Sequence, residues 1–185
     1  MKFRILTLLL ILLPGYGAAA ERPLVPGKSE IGFTVTQMGV GVSGTFRDFA
    51  AIVSLDPAKP ENGSAEIIVD IASISTGEPD ADTEALTKPW LDAMGFPKAR
   101  FKSTAVRGLD GERYEVTGML SIKGTPREMT IPFTLKNQPD GTMVASGKFS
   151  LRRTDFGIGG GEWNEDDLVA NEIPVHFRLT LAASR

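Results

Sequence analysis

Eight segments in which apolar and polar residues alternate are the feature that most constrains the fold of this chain. A period of two is typical of β-strands with one face turned towards a core. The segments span residues 29–38, 45–55, 65–71, 101–105, 114–122, 129–135, 143–151 and 175–181. Several are joined by short turn sequences, namely Leu109-Asp110-Gly111, Lys123-Gly124-Thr125-Pro126 and Pro139-Asp140-Gly141. Such turns join antiparallel neighbours, so the sequence predicts a meander of hairpins.

A meander of this length leaves exposed strand edges unless the sheet closes on itself. We therefore predict an all-β fold, an eight-stranded antiparallel β-barrel whose interior is filled by side chains or holds one small ligand. Two stretches interrupt the alternation. Residues 80–96 are predicted to be a helical insert, with Pro89 in the first turn of a second short helix, and residues 152–171 form a long Gly- and acid-rich loop.

Small residues recur on the strand faces that the pattern turns inwards. They are Ser103, Ala105, Gly118, Ala145 and Gly147. Because protein interiors pack closely, a barrel lined in this way either contains a cavity or is filled by large neighbours such as Phe33, Phe101 and Phe149. We favour the cavity, since barrels of this size commonly hold apolar ligands.

The first twenty residues have the composition of a secretory signal peptide. Lys2 and Arg4 precede an apolar run at 5–13, which Pro14 breaks, and small residues at 18–20 suit a cleavage site after Ala20. The run is too short for a membrane-spanning helix. We expect a mature periplasmic chain of one domain, residues 21–185. The sequence contains no cysteine, so it provides neither a lipoprotein acylation site nor a disulfide.

Charge argues against polyanionic partners. The formal net charge is −3, and loss of Lys2 and Arg4 makes the mature chain more negative. Basic residues form no stripe with interleaved aromatic residues, so nucleic acid is not an expected partner. Attraction to anionic membrane surfaces and stable membrane insertion are equally unsupported.

Catalytic groups are scarce. The one histidine, His176, lies on the polar face of the last strand, where we expect it to be solvated and without a partner. Asp155-Phe156-Gly157 and the glycines at 157–161 resemble nucleotide-binding motifs but lack the accompanying elements. We predict no catalytic residues and no enzymatic activity. An acidic cluster could bind calcium weakly, although a solvated loop is the favoured interpretation and no metal site is predicted: Glu162, Glu165, Asp166 and Asp167.

Four motifs together resemble the YceI-like family over residues 29–181. They are G-x-F-x-x-F at 44–49, F-P-x-A-x-F at 96–101, G-x-L-x-x-K-G at 118–124 and R-x-D-F-G at 153–157. The resemblance implies an exported, lipocalin-like barrel that binds a long isoprenoid lipid, a polyprenyl chain or an isoprenoid quinone, and has no other cofactor. It resembles most the branch with Gln-Met-Gly-Val at 37–40, members of which can occur beside membrane b-type cytochromes. The alternative is thus an accessory partner of such a cytochrome, as a monomer or homodimer.

Twelve residues are candidates for ligand contact. Inward-facing apolar residues are expected to contact the lipid tail: Phe33, Val35, Phe49, Val69, Phe101, Leu120, Phe133 and Phe149. Trp90, Phe156 and Trp163 lie in the irregular stretches and are expected at a lid or mouth, together with Phe96. Arg153 and Asp155 are expected to pair and fix the long loop.

Gln37 is the remaining candidate. It falls on the apolar face of its strand, where many members of the family carry histidine, and three glycines follow it within seven residues. Burying an amide without a partner costs about 1–3 kcal/mol, so we expect Gln37 to have one. A local backbone group and the head group of the ligand are the two alternatives.

Overall fold

The computed structural model describes residues 21–160 and 168–183. Within these residues eleven strands form one sheet, in which every pairing is antiparallel, and there is one short α-helix, α1 at Pro79–Ala85. The strands are β1 Glu21–Pro23, β2 Glu30–Gln37, β3 Val40–Phe46, β4 Phe49–Ser54, β5 Ser64–Asp70, β6 Ile74–Ser75, β7 Lys98–Gly108, β8 Arg113–Ile122, β9 Thr125–Asn137, β10 Met143–Arg152 and β11 Glu172–Leu181. The signal peptide predicted at 1–20 lies outside the described residues.

The sheet curls into a barrel that is tied at both of its edges. Its order is β1-β4-β5-β7-β8-β9-β10-β11-β2-β3-β6. At one edge β1 pairs with β4, and the next residue, Leu24, bridges to Leu181 of β11. At the other edge β6 continues the direction of β5 and pairs with β3. Both edges are therefore tied to strands across the gap, which confirms the predicted antiparallel barrel.

The strand count differs from the prediction. The predicted segment 45–55 is the second half of a bent strand, β3 followed by β4, which joins β2 on one side of the bend and β5 on the other. Arg47 and Asp48 form the bend, where Arg47 N donates to Ser73 O at 3.1 Å and Asp70 N donates to Asp48 O at 2.9 Å. The glycines in β3 hide its alternation, because a residue without a side chain shows neither face of a sheet.

A bulge in β7 overturns one inward assignment. The register with β8 shifts between Ser103 and Ala105, so two successive residues of β7 oppose one residue of β8. Ala105, predicted to face inwards, is exposed, and Val106 is buried in its place. The hydroxyl of Ser103 accepts a hydrogen bond from Ala65 N at 2.8 Å.

Most small inward residues do not create space. A Cβ added to Gly118 would collide with the ring of Phe101, and one added to Gly147 would collide with the ring of Phe177. Aromatic rings on neighbouring strands thus fill the space beside these glycines. At these two positions the structure agrees with the alternative to a cavity, which was filling by large neighbours. Ala145 differs, because it lines open space in the lumen.

The insert between β6 and β7 is less helical than predicted. The helix α1 ends at Ala85, and residues 86–96 fold as successive turns, so the second helix predicted at Pro89 is absent from the described structure. Irregular backbone hydrogen bonds replace the regular helical ladder. Trp90 N donates to Thr87 O, three residues earlier, and Ala93 N donates to Leu86 O, seven residues earlier. Asp92 adopts a left-handed backbone with φ of 48°, which no α-helix accommodates.

Candidate functional site

The lumen of the barrel contains an apolar cavity of about 200 Å³. Its accessible lining is entirely apolar and comes from strands all around the barrel. Representative lining residues are Val53, Ile67, Val116, Ile131, Ala145 and Leu179. An apolar lining of this kind favours an apolar occupant.

Five of the twelve predicted ligand residues line this cavity. They are Val69, Phe101, Leu120, Phe133 and Phe149. The inward faces of β5, β7, β8, β9 and β10 supply one each, as the alternation predicted. Their contact with a ligand stays a prediction.

Phe33 and Val35 lie elsewhere. Phe33 is buried in a second apolar cluster at one end of the barrel, and Val35 packs against that cluster. The ring of Phe33 lies 5.5 Å from that of Phe46, and it is Phe46 that lines the cavity. Phe49 packs against the main core cluster but does not reach the cavity lining. The bend at 47–48 separates Phe46 and Phe49, which the sequence pattern could not reveal.

Gln37 is exposed, so the expectation of a buried amide was wrong. It closes the turn between β2 and β3, where it pairs with Val40, and it forms an isolated bridge with Val169. The end of β2 pairs there with residues 168–170, and Gln37 is not among the residues that line the lumen. Head-group contact by Gln37 has no geometric support in the lumen.

The irregular stretches contribute one lining residue that sequence reasoning missed, Leu91. Its neighbour Trp90 is half-buried and donates a hydrogen bond from Nε1 to Glu84 Oε1 at 3.0 Å, outside the cavity lining. Phe156 is buried in the second apolar cluster. Trp163 lies outside the described residues. The sequence signal available for Leu91 was an apolar side chain directly after Trp90 in the insert.

A buried arginine organises the end of the barrel beside the insert. Arg153 is 1 % exposed and donates hydrogen bonds to backbone carbonyls on two segments. Those acceptors are Ile158 O at 3.1 Å, Gly159 O at 2.8 Å, Val169 O at 2.8 Å and Ala170 O at 3.3 Å. Asp155, the partner expected from the sequence, is exposed instead. The planar guanidinium suits this role because its donors diverge in fixed directions.

Other bonds connect the same end to the insert. Gly159 N donates to Pro89 O at 2.9 Å, and Lys123 Nζ donates to Pro89 O at 3.3 Å and Gly157 O at 2.8 Å. Residues 168–170 in turn pair with the end of β2 through Met38 N to Leu168 O at 3.0 Å. We call this the insert end of the barrel: residues 86–96, the β8–β9 turn at 123–124, residues 153–160 and 168–170, and the β2–β3 turn with its flanking residues, 37–40.

Among the described residues no cluster of side chains suited to a metal is found. No group of three or more His, Asp or Glu side chains suited to a metal occurs among residues 21–160 and 168–183. His176 lies on the outer face, as predicted, but its Nε2 is 3.1 Å from Glu30 Oε1, so it has a partner. The acidic cluster at 162–167 lies outside the described residues. No helix in the described part of the chain is long and apolar enough to cross a membrane.

Comparison with known proteins identifies the family. The sequence profile of the YceI-like domain matches residues 23–181. The chain belongs to the YceI-like family. It is 32 % identical over 136 residues to a UPF0312 protein of Pseudomonas savastanoi, covering 70 % of this chain and 71 % of the relative. A UPF0312 protein of Photorhabdus laumondii is 30 % identical over 141 residues, covering 71 % and 73 %.

Solved structures share the fold of this YceI-like protein. BcnA of Burkholderia cenocepacia superposes with a TM-score of 0.83 at 35 % identity, over 86 % of this chain and 99 % of BcnA. A polyisoprenoid binding domain of Saccharophagus degradans superposes with a TM-score of 0.72 at 14 % identity, over 89 % and 99 %. At that identity the second likeness is one of fold alone.

Proposed function

We propose that this YceI-like protein binds an isoprenoid lipid, a polyprenyl chain or an isoprenoid quinone, in the lumen of its barrel. The observation that carries the proposal is the wholly apolar cavity of the lumen, which Val69, Phe101, Leu120, Phe133 and Phe149 line. The polyisoprenoid-binding domain of Saccharophagus degradans, which has the same fold, supports the ligand class. The sequence of residues 1–20 supports a periplasmic site of action.

The size of the cavity limits what part of the lipid it holds. An engineered protein cavity of about 150 Å³ binds benzene, which has six carbons. A cavity of about 200 Å³ therefore has room for one or two isoprene units, each of five carbons. The rest of a long tail has to displace side chains or leave the barrel at one end. Each buried methylene contributes about 0.8 kcal/mol, so a few isoprene units suffice for micromolar binding after association costs.

Lipid extraction tests the proposal directly. The protein purified from a quinone-producing host is extracted with organic solvent, and the extract is analysed by mass spectrometry. A prenyl lipid in stoichiometric amount is the expected result. An empty barrel that also fails to take up farnesol dispersed in dilute detergent would contradict the proposal.

Filling part of the cavity should weaken uptake while the protein still folds. Ala145→Leu adds three carbons to an inward position that borders the cavity. We expect farnesol affinity to fall about tenfold or more, because less apolar ligand surface can be buried. Isothermal titration measures the affinity, and thermal unfolding reports on the fold.

Ala50→Leu is the matched control, because Ala50 is exposed on the outer face of β4. It should leave affinity unchanged. Equal loss in the two variants would show that the lumen is not the site.

The role as an accessory to a b-type cytochrome stays a prediction from the family resemblance, since no feature of the described structure favours it.

A further inference from the structure

We propose that the insert end of the barrel docks on the surface of a lipid bilayer, with the turn between β2 and β3 inserted among the lipids. The inference rests on the proposed function, because it names the surface from which the lipid would be exchanged. The occupant is a neutral or mixed phospholipid surface, recognised through apolar contact.

Exposed apolar side chains are concentrated at this end. Among the described residues, eight large apolar side chains are exposed, and five of them belong to the insert end. The five are Met38 at 70 %, Val40 at 65 %, Met94 at 99 %, Phe96 at 37 % and Leu168 at 37 %. Leu109 is the corresponding residue at the opposite end, in the loop between β7 and β8, and is 40 % exposed. Exposed apolar groups gathered in one region mark an interaction site.

The backbone of the β2–β3 turn gives a second, independent observation. Met38 has φ of 46° and Gly39 has φ of 79°, and Gln37 pairs with Val40 across them. These angles are those of a two-residue type I′ turn, in which Asn is the preferred first residue. A large apolar residue is therefore unfavourable at position 38 for two reasons: its backbone is left-handed, and its side chain is exposed to solvent. Strain retained at an exposed position points to function.

The same end is connected to the lumen. Leu91, which lines the cavity, belongs to the insert that also exposes Met94. A continuous series of bonds runs from the turn through Leu168 and Val169 to Arg153, and from Gly159 to the insert at Pro89. A bilayer in contact with the turn is therefore next to the cover of the cavity.

The shape and charge of the turn favour a bilayer over a protein partner. Residues 38–44 contain no charged side chain, and the exposed Met38 and Val40 belong to a tight two-residue hairpin turn. An uncharged apolar hairpin tip is buried readily in a soft apolar medium such as the interfacial region of a membrane. Because the net charge of the protein is negative, anionic lipid should not attract it. We therefore expect that binding needs no anionic lipid and that added salt does not weaken it.

Met38→Asn separates docking from folding. Asn tolerates the left-handed conformation and should raise the unfolding temperature, while removing the apolar tip. Co-sedimentation with phosphatidylcholine vesicles should show partitioning about tenfold weaker than that of the unmodified protein, as expected for one large apolar side chain fewer in the bilayer. Met94→Ser should weaken it further. Leu109→Asn, at the opposite end, is the control and should leave partitioning unchanged.

Four outcomes would overturn the docking assignment. Equal partitioning of the unmodified protein, Met38→Asn and Leu109→Asn would show that the turn does not dock. Partitioning that appears only with added phosphatidylglycerol, and vanishes with salt, would indicate charge attraction instead. A concentration-dependent dimer that Met38→Asn dissolves, without vesicle binding, would assign the turn to self-association.

Uptake of detergent-dispersed farnesol is measured in parallel. Its absence in every variant contradicts the proposed lipid function, whereas normal uptake with no vesicle binding contradicts only the docking.

Discussion

Single glycines in this barrel mark where an aromatic ring or a bulged backbone crosses close to the neighbouring strand. Gly118 of β8 lies opposite the bulge of β7, and a Cβ there would run into the carbonyl oxygen of Lys102, the Cα of Ser103 and the ring of Phe101. Two of these three neighbours are backbone atoms, which cannot move aside without distorting β7. The close approach, and not conformational freedom, fixes glycine at this position.

Gly118→Ala should therefore destabilise the protein by about 1–3 kcal/mol, the range for overpacked interiors. Chemical denaturation measures the loss. Gly41→Ala is the control, because a Cβ at Gly41 would meet only the methyl carbon Cγ2 of Thr34 at an ordinary 3.6 Å. Equal stability of the two variants would contradict the close approach in β7.

Side-chain hydrogen bonds hold the start of the insert in position. Asp82 lies in the first turn of α1, and its Oδ1 accepts bonds from Thr76 N and Thr76 Oγ1, both at 2.7 Å. These two bonds, the side-chain bond foremost, hold the pKa of Asp82 below its ordinary value of 3.8. They fix the helix to the end of β6, so they help to place Leu91 over the cavity.

A lowered pKa in the folded state means that the ionised carboxylate stabilises the fold above the unfolded value of 3.8, and that this contribution is lost as the pH falls through the folded pKa. Asp82→Ala should thus lower the unfolding temperature near neutral pH. The difference from the unmodified protein should shrink below about pH 4, where the unmodified protein begins to lose the same contribution. Thermal unfolding across the pH range measures both effects. A difference that stays constant at acidic pH would contradict a role for the ionised carboxylate.

At the scale of the whole molecule, closure of the sheet into a barrel creates the lumen. The sheet is tied through Leu24 to Leu181 at one edge and through β6 to β3 at the other. The inward side chains then face one another across a space that they do not fill completely. What remains is the cavity of about 200 Å³.

Ligand length should reveal the limit of that cavity. In a series of prenyl alcohols from geraniol to longer chains, the rise in unfolding temperature should increase with each unit and then level off, because only the first units find apolar space. Differential scanning calorimetry at fixed ligand excess measures the series. A rise that is independent of length would place binding at the head group. One that never levels off would show that the barrel widens around the tail.

Part of the site was predictable from the sequence. Alternation assigned the inward faces of β8 and β9 correctly, so Leu120 and Phe133 are found at the cavity as expected. It failed at Ala105, because a bulge reverses the alternation without any change of composition. It failed at Gln37 as well, because alternation tells which face a residue is on and not whether the barrel still covers that face.

The sequence by itself determined the antiparallel barrel, the inward and outward faces of most strands, and membership of the YceI-like family, since these depend on local periodicity, turn residues and motifs. The tertiary structure alone decided where the sheet closes, which inward residues border open space, and that Arg153 bonds to backbone carbonyls of two separate segments. Those features depend on contacts between residues far apart in the chain, on the stagger between strands and on the volume left after packing. The exposed position of Met38 on its strained turn belongs to the same class.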